Sequence, residues 1–101
     1  LFIEDCFCEL HQIAAILEHF KAAGVFSKIN GLISGIPLEV KETELSYDGT
    51  FNDVIMDVVA EYDFPVLANV HLGHTDRKLT MPIGAPCSLD HQNNRIIFER
   101  N

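Results

Sequence analysis

The chain has 101 residues, of which 48% are hydrophobic, and its 15 acidic and seven basic side chains give a net charge of −8. This length corresponds to one domain, and the hydrophobic content is sufficient for a packed core. The acidic balance argues against nucleic acid and an anionic membrane surface as partners, since both bind through basic patches. No apolar run approaches the roughly 20 residues that a membrane span requires.

The first half of the chain predicts a strand, a helix and a second strand. Leu1 to Ile3 is a short apolar run that indicates a buried strand, and two acids, Glu4 and Asp5, follow it. The helix that comes next ends at Gly24. Its core-facing side is predicted from apolar residues at helical spacing: Leu10, Ile13, Ile16, Leu17 and Phe20. After a connector, Gly31 to Ile36 indicates the second buried strand.

The second half predicts a further helix and strand, followed by three short β segments. Pro37 to Gly49 is interpreted as a solvated, acid-rich loop, after which Thr50 offers an N-cap with Asp53 three residues later. The apolar residues of this second helix are Phe51, Val54, Ile55, Val58, Val59 and Tyr62. Val66 to Val70 indicates the third buried strand. The β segments are expected at Leu79 to Ile83, Cys87 to Leu89 and Arg95 to Glu99, with turn-forming residues before the last.

The order of these elements predicts an α/β domain with a βαβαβ parallel core, additional antiparallel strands and a C-terminal hairpin. Each strand–helix–strand unit implies a right-handed parallel crossover. In open α/β sheets, the active edge is formed by the C-terminal ends of the strands. Glu4 ends the first strand and His74 follows the third, so both are expected at this edge.

A carboxylate beside a histidine supplies two members of a nucleophilic triad. The carboxylate fixes the imidazole tautomer, and the imidazole takes a proton from a hydroxyl group. No serine of the chain lies in the Gly-x-Ser-x-Gly turn that presents such a hydroxyl: Ser27, Ser34, Ser46 and Ser88. The sequence therefore predicts that the chain supplies the acid and the base, while the nucleophile lies elsewhere.

Two other interpretations remain open. In the first, Glu4 and His74 form only a structural hydrogen bond, and the chain is a non-catalytic α/β binding or assembly domain. In the second, a metal site is assembled, although the spacing matches no zinc pattern, from Cys6, Cys8, Cys87, His71 and His74. The odd number of cysteines and the large core favour reduced thiols and a cytoplasmic location. Because the chain opens without Met on a strand-like run, we expect it to be part of a longer protein.

Six segments carry, in their order and spacing, a resemblance to a known family. They are Leu1-Phe2-Ile3-Glu4-Asp5, Ala23-Gly24-Val25-Phe26, Gly31-Leu32-Ile33-Ser34-Gly35, Phe64-Pro65-Val66-Leu67, Gly73-His74-Thr75-Asp76 and Leu79-Thr80-Met81-Pro82-Ile83-Gly84. Together they resemble the C-terminal domain of LD-carboxypeptidases, the serine peptidase group that includes muramoyl-tetrapeptide LD-carboxypeptidases and microcin self-immunity proteins. The resemblance covers essentially the whole chain, and its last two segments are the most specific.

The resemblance implies that Glu4 and His74 are the acid and base of a Ser-His-Glu triad, and it assigns the acid to Glu4 rather than Asp5. It implies a swivelling β/α-type domain, with the serine on the protein's own N-terminal domain. The implied substrate is a murein tetrapeptide or a microcin-type aminoacyl-nucleotide, and the implied protein is a cytoplasmic homodimer without metal or organic cofactor. Cys6 to Gln12 departs from the cell-wall recycling type, which favours the self-immunity branch. No roles are assigned to Cys6, Cys8, Thr75 and Asp76.

Overall fold

A computed structural model describes residues 1–5, 9–37, 49–72 and 79–99. Its elements, in chain order, are β1 (Phe2–Ile3), α1 (Leu10–Ala22), β2 (Leu32–Gly35), α2 (Phe51–Val59), β3 (Val66–Val70), β4 (Cys87–Asp90) and β5 (Arg95–Phe98). The predicted α/β class, with a βαβαβ core and a C-terminal hairpin, is confirmed. Most of the predicted loop from Pro37 to Gly49 lies outside the described residues. In the part of the chain that is described, neither helix has the length and apolarity to cross a membrane.

The three strands of the parallel sheet lie in the order β1-β2-β3. β1 is an edge strand, which explains why Phe2 and Ile3 are half-buried rather than buried as predicted. The chain crosses the sheet twice in the same direction, from β1 to β2 and then from β2 to β3. Because both crossovers are expected to have the same hand, the helices α1 and α2 lie on the same face of the sheet. The hairpin of β4 and β5 lies against the other face.

One hydrophobic cluster joins the two helices to the sheet. Its buried members are Leu10, Ile13, Leu17, Phe26, Leu32, Phe51, Val54, Ile55, Val58 and Val59. The predicted helical stripes are therefore confirmed with two exceptions: Ile16 is 48% exposed, and Tyr62 packs against the cluster from beyond the end of α2. Ile16 lies about 100° around the helix from Leu17, which turns it away from the sheet.

A second, smaller cluster lies between the sheet and the hairpin. Its buried members and their half-buried neighbours are Ile33, Val70, Leu72, Phe2, Leu67, Met81, Leu89 and Ile96. Consecutive residues of β2 face different clusters, as the alternation of a strand requires: Leu32 faces the helices, and Ile33 faces the hairpin. The domain therefore has three layers, formed by the helices, the parallel sheet and the hairpin.

The expected strand from Leu79 to Ile83 is wrong. The backbone is irregular here and ends in a turn, in which Ala85 N donates to Pro82 O and Gly84 has a φ of +83°. Proline has no N–H to give to a strand ladder, and a glycine with positive φ suits the third position of a type II turn. In the described ranges, two β segments rather than three follow β3, and they pair as the predicted antiparallel hairpin.

Gly35 ends β2 in a narrow gap between its neighbours. A Cβ atom at this position would lie 3.0 Å from Cδ1 of Leu72 and 3.2 Å from Cβ of Glu4. Carbon atoms attract each other best at about 3.5–4.0 Å, so a side chain would not fit without a shift. The glycine therefore allows the segments that follow β1 and β3 to approach each other over the end of β2.

The helix α2 begins with the predicted capping interaction. Asp53 N donates to Oγ1 of Thr50 over 3.2 Å, and Thr50 N donates to Oδ2 of Asp53 over 2.8 Å. These two bonds make a complete capping box, which satisfies two backbone donors at the exposed start of the helix.

We expect Thr50→Ala to lower the free energy of unfolding by about 1 kcal/mol, because it removes one acceptor of the capping box. Urea denaturation followed by circular dichroism measures this loss. Thr80→Ala is the matched control, since Thr80 is exposed and lies outside the helices. A Thr50→Ala variant as stable as the control would contradict the role of the capping box.

We expect Gly35→Ala to lower the free energy of unfolding by about 1–3 kcal/mol through overpacking. Leu72→Ala should cost about 2–5 kcal/mol by leaving a cavity. Because the two substitutions act on the same space, the double variant should lose less than the sum of the single losses. Denaturation of all four proteins gives this coupling energy. Additive losses would show that the two positions do not share a contact.

Candidate active site at the carboxyl edge of the sheet

Glu4 is the first residue beyond β1, at the edge where the three parallel strands end. The residue is exposed, and its Cβ borders the end of β2 at Gly35. This edge is the place where open α/β sheets hold their ligands. The glutamate therefore lies where its carboxylate is accessible to a partner from the neighbouring strand ends.

The predicted base, His74, belongs to the segment 73–78, and the described residues on either side of this segment are Leu72 and Leu79. Leu72 is 2% exposed and lies beside Gly35. Leu79 N donates to His71 O over 2.7 Å, so the residues on either side of 73–78 are held together. Five residues of the predicted site or its surroundings lie outside the described residues: Cys6, Cys8, His74, Thr75 and Asp76.

Asp5 competes with Glu4 for the role of the triad acid in the sequence, and it is half-buried. The Cβ of Glu4 and the side chain of Leu72 would both touch a side chain at position 35, so they lie on the same side of the sheet. Successive residues of an extended chain point to opposite faces. This alternation favours Glu4 over Asp5 as the partner of a side chain that follows Leu72.

The described serines are not placed as nucleophiles at this edge. Ser34 is fully buried in β2, and its hydroxyl donates to the carbonyl of the next residue. Ser27 lies in the turn after α1, where its hydroxyl donates to a backbone carbonyl over 2.8 Å. Ser88 lines a cavity of about 600 Å³ with Leu1 and Pro65, which precede β1 and β3 and so mark the opposite edge of the sheet. Ser46 is outside the described residues.

The two described members of the alternative metal set, Cys87 and His71, line different cavities. Cys87 borders the cavity of about 600 Å³ at the amino edge, whereas His71 borders one of about 690 Å³ beside β3. Among the residues that the structure describes, no three His, Cys, Asp or Glu side chains come together as metal ligands. The other three members of the set, Cys6, Cys8 and His74, lie outside the described residues.

A second carboxylate–imidazole pair, which the sequence analysis missed, lies at the start of α1. Oε2 of Glu9, the N-cap residue, is 3.3 Å from Nε2 of His11. Since α1 follows β1, this pair also belongs to the carboxyl edge. An acid directly before a helical run, with a histidine two residues later, was the signal in the sequence. His11 is therefore a rival base that any test of the site has to include.

Comparison with known proteins places this geometry in a family. The sequence profile of the LD-carboxypeptidase C-terminal domain matches residues 1–89. A Vibrio cholerae serotype O1 protein, provisionally named a carboxypeptidase, is 26% identical over 102 residues, which cover 98% of this chain and 29% of that protein. The muramoyltetrapeptide carboxypeptidase of Oxalobacter formigenes superposes with a TM-score of 0.74 at 25% identity, over 86% of this chain and 30% of that one.

The microcin C7 self-immunity protein superposes with a TM-score of 0.87 at 27% identity, over 99% of this chain and 30% of that one. Solved forms of it are complexes with aspartyl sulfamoyl adenosine, glutamyl sulfamoyl guanosine or adenosine monophosphate. The chain thus spans about 30% of the length of the relatives that it matches. By its profile match and its fold, the chain belongs to the LD-carboxypeptidase C-terminal domain family.

Proposed function

We propose that this chain is the C-terminal domain of a two-domain serine hydrolase, to which it supplies the triad acid Glu4 and the base His74. The observation that carries the proposal is the approach of Glu4 and Leu72 over Gly35. Strand ends on either side of a central strand lie roughly 10 Å apart, which is two strand spacings. A glutamate and a histidine side chain together span such a gap, and Gly35 places no side chain of its own between the two strand ends.

In this proposal each residue has one task. The carboxylate of Glu4 accepts a hydrogen bond from one imidazole nitrogen of His74 and so fixes its tautomer. The other nitrogen takes the proton of a serine from the preceding domain as that serine attacks a carbonyl carbon. The imidazolium then gives this proton to the leaving nitrogen, and water releases the acyl group by the same steps. The chemistry requires neither a metal ion nor an organic cofactor, and the full-length protein acts as a cytoplasmic homodimer.

The relatives support a serine-dependent reaction and suggest its substrate. One solved form of the microcin immunity protein carries alanine in place of a serine, an asparagine and a lysine of its active site. The immunity protein matches 99% of this chain, whereas the Oxalobacter enzyme matches 86%. An amide bond in an aminoacyl-nucleotide is therefore the substrate that we favour. A murein tetrapeptide is the second candidate, which the match to the muramoyltetrapeptide carboxypeptidase supports.

In the full-length protein, Glu4→Gln should lower kcat by roughly 10⁴-fold and His74→Ala by roughly 10⁶-fold, because each removes a triad member. The assay measures hydrolysis of an aminoacyl sulfamoyl adenosine and of an LD-tetrapeptide. Matched controls are Asp5→Asn, His71→Ala and His11→Ala, which should keep most of the activity while circular dichroism shows all variants folded. Loss of activity in His11→Ala but not in His74→Ala would overturn the assignment of the base. Unchanged turnover in both triad variants would leave a non-catalytic binding domain as the explanation.

We expect the 101-residue chain alone to hydrolyse neither substrate above the background rate. Its described serines offer no nucleophile at the carboxyl edge, and a triad without its serine retains only a small residual rate. The full-length protein at the same molar concentration is the positive control. Hydrolysis by the isolated chain at a comparable rate would mean that the nucleophile lies within these residues, and the two-domain proposal would then be wrong.

A further inference from the structure

β3 contains one residue more than the strand beside it. Val66 and Leu67 pair with consecutive residues of β2, but the next paired residue of β3 is Val70, opposite Gly35. The extra residue forms a bulge, and Asn69 within it has a φ of +60°. Asparagine is one of the few residues other than glycine that adopt this left-handed conformation readily.

The side chain of Asn69 ties the bulge to the start of α2. Nδ2 of Asn52, the second residue of α2, donates to Oδ1 of Asn69 over 3.0 Å. In this orientation Oδ1 of Asn52 is buried and has no hydrogen-bond partner in the described part of the chain. The capping box at Thr50 and Asp53 fixes the helix turn to which the bulge is tied.

The bulge determines which way the chain points as it leaves β3. Leu67 and Val70 both face the hairpin, although residues three apart on a regular strand face opposite sides. Without the extra residue, Val70 would turn toward the helices. The extra residue also turns Leu72, two residues after Val70, toward the hairpin. Leu72 therefore belongs to the smaller cluster between the sheet and the hairpin, beside Gly35 and Glu4.

We propose that Asn69 and Asn52 are positioning residues for the base: the tethered bulge sets the direction in which the chain enters the segment that carries His74. This inference rests on the proposed function, because it assumes that His74 is the base. Neither asparagine takes part in the chemistry. They act through the backbone of β3, which sets the direction of the chain at Leu72, the last described residue before that segment.

The test uses the full-length protein with Asn52→Ala, Asn69→Gly and the double variant. Glycine keeps the positive φ at position 69, so each substitution removes the same hydrogen bond and leaves the bulge possible. We expect each single variant, and the double variant equally, to lower kcat by roughly 10-fold or more with KM unchanged, because a small misplacement of the base is costly. The imidazole of His74, followed by NMR over pH, should titrate at a different pH in the variants.

Asn30→Ala is the matched control, since Asn30 is exposed and lies at the opposite edge of the sheet, where it borders the cavity that Leu1 and Pro65 line. It should leave kcat and the His74 titration unchanged. Wild-type kcat in Asn52→Ala and Asn69→Gly, in a protein that His74→Ala inactivates, would overturn the positioning role alone. A fall of kcat that merely follows the folded fraction, with an unchanged His74 titration, would overturn it too. Full activity in His74→Ala would overturn both proposals.

Discussion

The carboxyl edge of this domain depends on a close approach of chain segments over the end of its central strand. β2 is only four residues long and is fully buried. Its last residue, Gly35, contributes no side chain, and Glu4 and Leu72 come together in the space that is left. β1 and β3 are not neighbours in the sheet. The missing side chain at Gly35 allows the segments that follow these two strands to come close to each other.

The two hydrophobic clusters support the domain unequally. The cluster between the helices and the sheet is the larger one. It includes four aromatic side chains, in which Phe26 packs against Phe20, Tyr62 and Phe64. The cluster between the sheet and the hairpin has three buried members, and one of them, Leu72, borders the candidate site. The helices therefore contribute most of the buried core, whereas the hairpin side holds the chain that leads to His74.

Much of the fold could be predicted because it follows from local patterns. Helical spacing marked both helices, and Thr50 with Asp53 marked the start of α2. The run from Leu79 to Ile83 misled because its apolarity resembles a strand, while Pro82 and Gly84 dictate a turn. The bulge in β3 was not predicted, since asparagine tolerates a positive φ but this tolerance alone does not place an extra residue in an apolar run. For the candidate site, the topology rule placed Glu4 at the carboxyl edge, where it lies, but the order of the strands and the gap at Gly35 are properties of tertiary packing.

The glycine that ends β2 has a consequence for how such domains diverge. Any coding change at position 35 adds at least one carbon atom, and the nearest atoms already stand 3.0 Å from where it would lie. Surface residues can be exchanged without such a clash, but this position has no such freedom. Across related sequences it should vary as little as the reactive residues themselves. A sequence comparison that treats every invariant residue as catalytic would then wrongly assign a chemical role to Gly35, whose side chain is a single hydrogen atom.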